Sequence, residues 1–293
     1  MMRFDRHPYL LLTLAVFFWS GNFIVGRAVH GQVPPVALAF LRWTGAALLV
    51  LPLALPHLRR DWPRLAGHWP VLLLLSALGI TAFNTLIYTG LQWTQALNAF
   101  LLQSITPVII VILSFALFGE RVSGRQLGGI GLSLAGAATI ILQGEWEALR
   151  ELQVNRGDLL ALAAVFCYAG YSVLLRKRPA IHPLSFLALT FGLGWLLLLP
   201  FWLAEMAGGR SFVATPTTLA AVAYVAIFPS IVSYLCYNRG VDLVGANRAG
   251  LFIHLMPVFG SLLAIVFLGE SFHPYHAAGI FLIGWGIHLA TRR

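Results

Sequence analysis

The chain has 293 residues, 59% of them hydrophobic and only 10% charged, with a mean hydropathy of +0.83 and a formal net charge of +9. A soluble domain carries nearer a quarter charged residues, so this chain lacks the charge to cover a water-facing globule. Its basic residues lie between apolar runs, which argues against a nucleic-acid surface and for charges that orient a protein in a membrane.

The first apolar run, Tyr9–Val29, follows Arg3 and Arg6. It is longer than the apolar core of a signal peptide and no small-x-small pattern closes it, so an uncleaved first helix is expected. Four more runs follow at Val36–Leu55, Trp69–Leu91, Ala96–Phe118 and Gln126–Gln143, before a polar stretch from Gly144 to Arg156. The last five are Asp158–Leu175, Pro183–Ala204, Thr217–Tyr237, Ala246–Leu268 and Tyr275–Ala290. Apolar helices of about 20 residues cross roughly 30 Å of hydrocarbon. The expected fold is therefore an all-α integral membrane protein of ten transmembrane helices. With the N-terminus inside, 14 of the 19 basic residues are cytoplasmic and only Arg150, Arg156 and Arg210 are outside, while Arg27 and Arg42 lie within or near spans. This asymmetry obeys the positive-inside rule and makes both termini cytoplasmic. Cys167 and Cys236 lie inside apolar runs and read as small hydrophobes, not as a disulfide or metal site.

The two halves of the chain repeat each other at a nearly constant offset. Pro35 and Pro52 align with Pro183 and Pro200, and Phe17, Gly21 and Arg27 with Phe166, Gly170 and Arg176. At an offset of 150, Ala96, Pro107, Gly119, Glu120, Gly129 and Gly136 align with Ala246, Pro257, Gly269, Glu270, Gly279 and Gly286. The expected organisation is a first repeat over 1–143, a linker over 144–156 and a second repeat over 157–293. Five helices is an odd number, so the second repeat enters from the opposite side. Two inverted five-helix repeats around a central cavity are a recurring transporter architecture.

Trp19-Ser20-Gly21-Asn22-Phe23, Pro34-Pro35 followed by Leu41-Arg42, and the twice-used Pro…Gly-Glu pattern resemble the EamA-type drug/metabolite transporter superfamily over essentially the whole chain. The resemblance implies ten helices in two inverted halves, a cavity lined by helices one to four and six to nine, and export of small metabolites. It also implies that the fifth and tenth helices are peripheral. Within that superfamily the chain looks like the bacterial aromatic amino-acid exporters of the inner membrane.

Mid-span polar and aromatic residues are the candidates for substrate binding: Trp19, Asn22, Arg42, Asn84, Tyr88, Gln103, Tyr168, Tyr171, Trp195, Tyr234 and His254. An aromatic-walled cavity with a few amides suits a flat, partly apolar ligand. An intramembrane arginine is a functional candidate by default. Arg42 either pairs with a substrate carboxylate or snorkels to the interface. His254 either lines the cavity with Gln103 and Ser104 or makes a helix–helix hydrogen bond. Tyr237 and Asn238 suit an interfacial position near a span end. Pro107 and Pro257 each remove a helix hydrogen bond at equivalent positions and read as hinges or as packing kinks. Glu120 and Glu270 read as helix-end capping groups, and the small residues around Gly129 and Gly279 as a close helix contact.

The expected function is alternating-access export of amino acids with aromatic or large apolar side chains, with other metabolites or drugs as the alternative. A remote alternative is an intramembrane serine protease, from Gly131-Leu132-Ser133-Leu134-Ala135-Gly136 and His254. No zinc motif or P-loop appears, and no enzyme, cofactor or metal is expected. The expected partners are a small-molecule substrate and the bilayer, with no nucleic acid; a monomer would serve. No acid sits centrally in a span, so facilitated movement is expected over proton coupling.

Overall fold

Every regular element of the computed structural model is a helix, and no strand occurs among the described residues. Those residues are 7–29, 32–94, 96–150, 154–209, 212–268 and 271–292, with backbone alone at 23, 24, 26–28, 96, 97 and 268. Arg3, Arg6, Arg210, Gly269, Glu270 and Arg293, and the side chains of Arg27 and Ala96, lie outside the described residues.

Hydrocarbon offers no hydrogen bonds, so a spanning backbone must satisfy itself, and a helix does so within one segment. Among the described residues, seven helical stretches are long and apolar enough to cross: Pro35–Leu65, Trp69–Gly90, Asn98–Phe118, Arg156–Lys177, Pro183–Ala207, Pro216–Val244 and Ala246–Phe267. They coincide with seven of the ten expected runs. Pro8–Ala28 (α1), Gly124–Ile141 (α7) and Pro274–Thr291 (α14) stand where the other three were expected, as continuous helices outside those seven. In α7 the polar start at Arg125 and Gln126, in α14 His276 and His288, and glycines in both lower the hydropathy.

Several spans are assembled from pieces. The third run is α3 (Trp69–Ser76), a π-helical turn (Ala77–Ala82) and α4 (Phe83–Gly90). Its counterpart is α10 (Pro216–Ala226), a π-helical turn (Ile227–Val232) and α11 (Ser233–Val244). The fourth run breaks between α5 (Ala96–Gln103) and α6 (Thr106–Phe118), and the ninth between α12 (Ala246–Leu251) and α13 (Met256–Leu268), through a 3₁₀ turn at Phe252–Leu255. Pro107 and Pro257 stand second in α6 and α13, so each lies at a break and not inside a continuous helix. The Gln103 carbonyl, which the missing Pro107 N–H leaves free, accepts the Thr106 hydroxyl at 2.6 Å.

The helix ends follow local chemistry. Ser123 and Gln126 form a capping box at the start of α7, and Asn155 and Asp158 form one at the start of α8 (Arg156–Leu174). Gly119 ends α6 at φ +66, a left-handed conformation that favours glycine. Glu120 then pairs with Arg176 at 3.6 Å, both about half exposed, so it is a helix-end group.

Helix α2 (Pro35–Asp61) packs along α9 (Pro183–Ala207), and each supplies an acid to the other's N-terminus. Glu205 accepts from the Val36 and Ala37 N–H groups at 3.2 and 2.7 Å, and Asp61 accepts from the His182 N–H at 2.9 Å. Helices α7 and α14 meet along a glycine seam. A Cβ at Gly129 would lie 2.5 Å from the Gly286 carbonyl, and one at Gly136 would lie 2.8 Å from the Gly279 carbonyl. The small-residue run thus does what close packing requires. Gly131 and Gly284 face open space and take no part in it.

Candidate functional site

The π-helical turn at Ile227–Val232 holds Arg42 and Trp19 in place. Pro229 has no N–H, so the Val225 carbonyl takes the Ser230 hydroxyl instead, at 2.8 Å. The same Ser230 oxygen accepts from Arg42 Nε at 2.6 Å, and the Pro229 carbonyl accepts from Arg42 Nη2 at 3.1 Å. Arg42 Nη1 reaches Asn84 Oδ1 and the Tyr88 hydroxyl, each at 3.4 Å, and the guanidinium lies over the Trp43 ring at 4.8 Å. Only 4% of Arg42 is exposed, so the side chain does not snorkel. Every group holding it is neutral, and no carboxylate pairs with it among the described residues.

Arg42 forms part of the wall of an internal cavity. From α1 come Trp19 and Asn22, and from α4 Phe83, Asn84, Ile87 and Tyr88. Gln103 and Thr106 enter from the α5–α6 break, Tyr168 from α8, Tyr234 from α11, and Ile253 and Met256 from the second break. The cavity is narrow, about 50 Å³, with room for a few waters. Asn22 Oδ1, Gln103 Nε2 and the Tyr168 hydroxyl are buried in its wall without a partner. Trp19 packs edge-on against Tyr168 and Tyr234, with centroids at 5.6 and 6.2 Å, and its Nε1 donates to the Pro229 carbonyl at 2.9 Å. Opposite, the Tyr234 hydroxyl donates to the Gly79 carbonyl at 2.6 Å. Only glycine fits at position 79, since a Cβ there would lie 2.4 Å from the Tyr171 ring.

Trp19, Asn22, Arg42, Asn84, Tyr88, Gln103, Tyr168 and Tyr234 are therefore brought together, and three expected residues stand elsewhere. Tyr171 is buried behind Tyr168 and donates to Asn238 Oδ1 at 2.9 Å. Trp195 packs on Phe40 and donates to the Thr44 hydroxyl at 2.8 Å. His254 bridges helices, its Nδ1 to the Ser133 hydroxyl at 2.6 Å and its Nε2 to the Ser104 carbonyl at 2.8 Å. Tyr237 and Asn238, expected at the interface, are buried instead: Tyr237 sits beneath Trp19, centroids 5.1 Å apart, and bonds Ser172. Span-end position misled there, because the C-terminal part of α11 continues inside the bundle. The role of Ser230 and the Pro229 carbonyl was not foreseen. A proline followed by serine inside an apolar run was the available signal.

The Ser133–His254 contact gives the protease reading a hydrogen-bonded pair, but not a site. Both residues are fully buried in a helix junction, neither lines the cavity, and both ring nitrogens already have partners.

Comparison with known proteins agrees with this. The chain is 25% identical to the uncharacterized transporter YyaM of Bacillus subtilis, over 97% of this chain and 93% of that one. It is 28% identical to an uncharacterized transporter of Archaeoglobus fulgidus, over 99% of each. A protein named probable terminal-alkyne amino-acid exporter from Streptantibioticus cattleyicolor is 27% identical over 96% of this chain and 92% of its own. A solved crystal structure shares the fold with a TM-score of 0.79 at 21% identity, covering 97% of this chain and 96% of its own. The model of the EamA-like transporter family matches twice, over residues 7–142 and 155–292. With nearly its whole length matched, the chain belongs to the EamA-like transporter family and is a multi-pass membrane transporter, not an enzyme.

Proposed function

We propose that this protein exports amino acids with aromatic or large apolar side chains by alternating access, with other metabolites or drugs as the alternative class. The carrying observation is Arg42, a buried cation without an acid, standing in an aromatic-walled cavity. An unpaired charge in low dielectric is costly, and a ligand carboxylate relieves that cost. Neighbouring Trp19, Tyr168 and Tyr234 offer rings to an apolar body. A relative named as a probable amino-acid exporter supports the class. The cavity is too tight for a large amino acid as it stands, which suits a state between inward and outward opening.

The reading takes ten spans in two inverted halves, 1–143 and 157–293, joined by 144–156, in a bacterial inner membrane with both termini cytoplasmic. The double family match supports it. So do contacts between residues 149 or 150 apart. Ser104 bonds its own counterpart His254, and Trp19 packs on its counterpart Tyr168. Gly129 meets Gly286 while Gly136 meets Gly279, and the Asn22–Tyr88 bond is echoed by Tyr171–Asn238. Self-meeting and reciprocal pairs are what a two-fold relation produces. Pro107 and Pro257 then serve as the hinges at the two breaks, and a single chain with its substrate and bilayer suffices.

The test is flux through purified protein in liposomes, with phenylalanine, tryptophan and leucine against small polar amino acids and an empty-liposome control. Flux of the large apolar group above the control is expected. If no amino acid exceeds the control while other metabolites or drugs do, the alternative class replaces this reading.

A further inference from the structure

We infer that the cavity selects ligands of net charge −1, recognising the carboxylate without a matching site for an ammonium group. An N-acylated or 2-oxo form of a large apolar amino acid then binds better than the zwitterion. The inference rests on the reading of this cavity as the transport site and narrows its substrate class.

Charge is the first argument. Among the described residues, Arg42 is the single charged group in the cavity wall, and no acid stands there. Asp61 and Glu205 cap helices, Asp158 accepts from Thr94 and Asn98, Glu120 pairs with Arg176, and Asp242 pairs with Arg178. A zwitterion would relieve Arg42 and at once add a second buried cation beside it. An anion relieves Arg42 and leaves the cavity neutral.

Neutral acceptors could still hold an ammonium, as backbone carbonyls freed at helix breaks hold coupling cations in transporters. Here the chain's own donors already engage each of them, twice at Pro229 and once at the others. The Gln103 carbonyl takes the Thr106 hydroxyl and the Ser104 carbonyl takes His254. At the π-helical turns the Pro229 carbonyl takes both Arg42 and Trp19, and the Gly79 carbonyl takes Tyr234. What remains in the wall is Asn22, the Tyr168 hydroxyl and the Gln103 side chain, and of these the Asn22 amide meets the same Tyr88 hydroxyl that Arg42 does, at 3.5 and 3.4 Å. An ammonium placed on Asn22 would therefore sit within one side chain of the guanidinium.

The experiment compares initial rates of phenylalanine, phenylpyruvate, N-acetylphenylalanine and phenethylamine in liposomes holding the full chain, at pH 7 and with empty liposomes subtracted. The two anions are expected to move about tenfold faster than phenylalanine, a modest share of what one charge is worth at about 4 Å. Phenethylamine should match the control. Gln103→Glu and, independently, Asn22→Asp place an acid in the wall and should shift the anion-to-zwitterion ratio toward phenylalanine by about tenfold. Phenylalanine carried as fast as the anions, or faster, overturns the inference and leaves amino-acid export standing. Anions carried faster with a ratio unmoved in both acid variants, when either reaches the membrane folded, overturns it too. No flux of any of the four above empty liposomes removes the amino-acid reading of the cavity on which this inference rests.

Discussion

Of the basic side chains buried among the described residues, His254 and Arg42 are held in opposite ways. His254 is fully buried in a junction of three elements, where the Ser133 hydroxyl and the Ser104 carbonyl take both ring nitrogens. Arg42 has comparable burial and four hydrogen-bonding partners, yet its charge has no counter-charge, and it borders a void. A buried polar group with every partner supplied by the fold is part of the fold. A buried charge without a counter-charge, beside empty space, is on the proposed reading the place where a ligand carboxylate docks. The contrast predicts opposite consequences when each residue is removed.

The largest effect is expected at Arg42. Arg42→Gln should reduce liposome flux of every carboxylate substrate to the empty-liposome level, while Arg42→Lys, which keeps the charge without the forked geometry, should keep a small fraction. Because the native charge is unpaired, Arg42→Gln should leave thermal stability in detergent unchanged or slightly raised. Full flux in Arg42→Gln would show that the charge is not read by the ligand.

At His254 the balance reverses. His254→Ala leaves Ser133 without its ring partner and frees the Ser104 carbonyl, so a loss of about 1–3 kcal/mol in stability is expected. Flux per folded molecule should change little. A variant that melts like the native protein but no longer transports would move His254 from the scaffold to the transport path. Trp19→Ala and Tyr168→Ala come next, each expected to lower flux several-fold with folded protein retained. These rings form the apolar wall and brace each other at 5.6 Å. Unchanged flux in both would leave the aromatic wall without a role.

How far the sequence already showed this depends on the kind of information each feature carries. Helix positions were legible, because apolar length is a local fact of the chain. The glycine seam was legible for the same reason, since only a small residue allows two backbones to approach as Gly129 and Gly286 do. Cavity membership was legible where a polar group falls deep inside an apolar run, as for Asn84 and Arg42. It was not legible for Tyr171 and Trp195, whose hydroxyl and indole find protein partners that no pattern along the chain announces. The Pro229–Ser230 turn was missed because its effect is on backbone geometry. The helix widens there, and the freed carbonyl and hydroxyl become the clamp for a residue 187 and 188 positions away.

The smallest effect expected is that of a proton gradient, and it separates the two basic residues once more. Coupling to protons needs a group in the transport path that gains and loses one as the site changes sides. Arg42 lines the cavity and serves, on the proposed reading, as the cation that the ligand meets. His254 could titrate, but it is sealed in its junction away from the cavity. Among the described acids none lines the cavity, and Asp5, Glu151 and Glu270 lie outside the described residues. An imposed pH gradient should therefore change neither the rate nor the final level of substrate in liposomes, beyond what empty liposomes show. Membrane potential is a different matter if the ligand crosses as a monoanion without a co-ion. Moving one charge through 100 mV is worth about 2.3 kcal/mol, so roughly 60 mV, negative inside, should drive about tenfold export of the anion at equilibrium. Phenylalanine, with no net charge, should feel nothing. The pair of measurements is a pH gradient at zero potential and a potassium-diffusion potential at equal pH. Uphill accumulation that needs the pH gradient and vanishes with an uncoupler would place a titrating group in the path and overturn the facilitated mechanism.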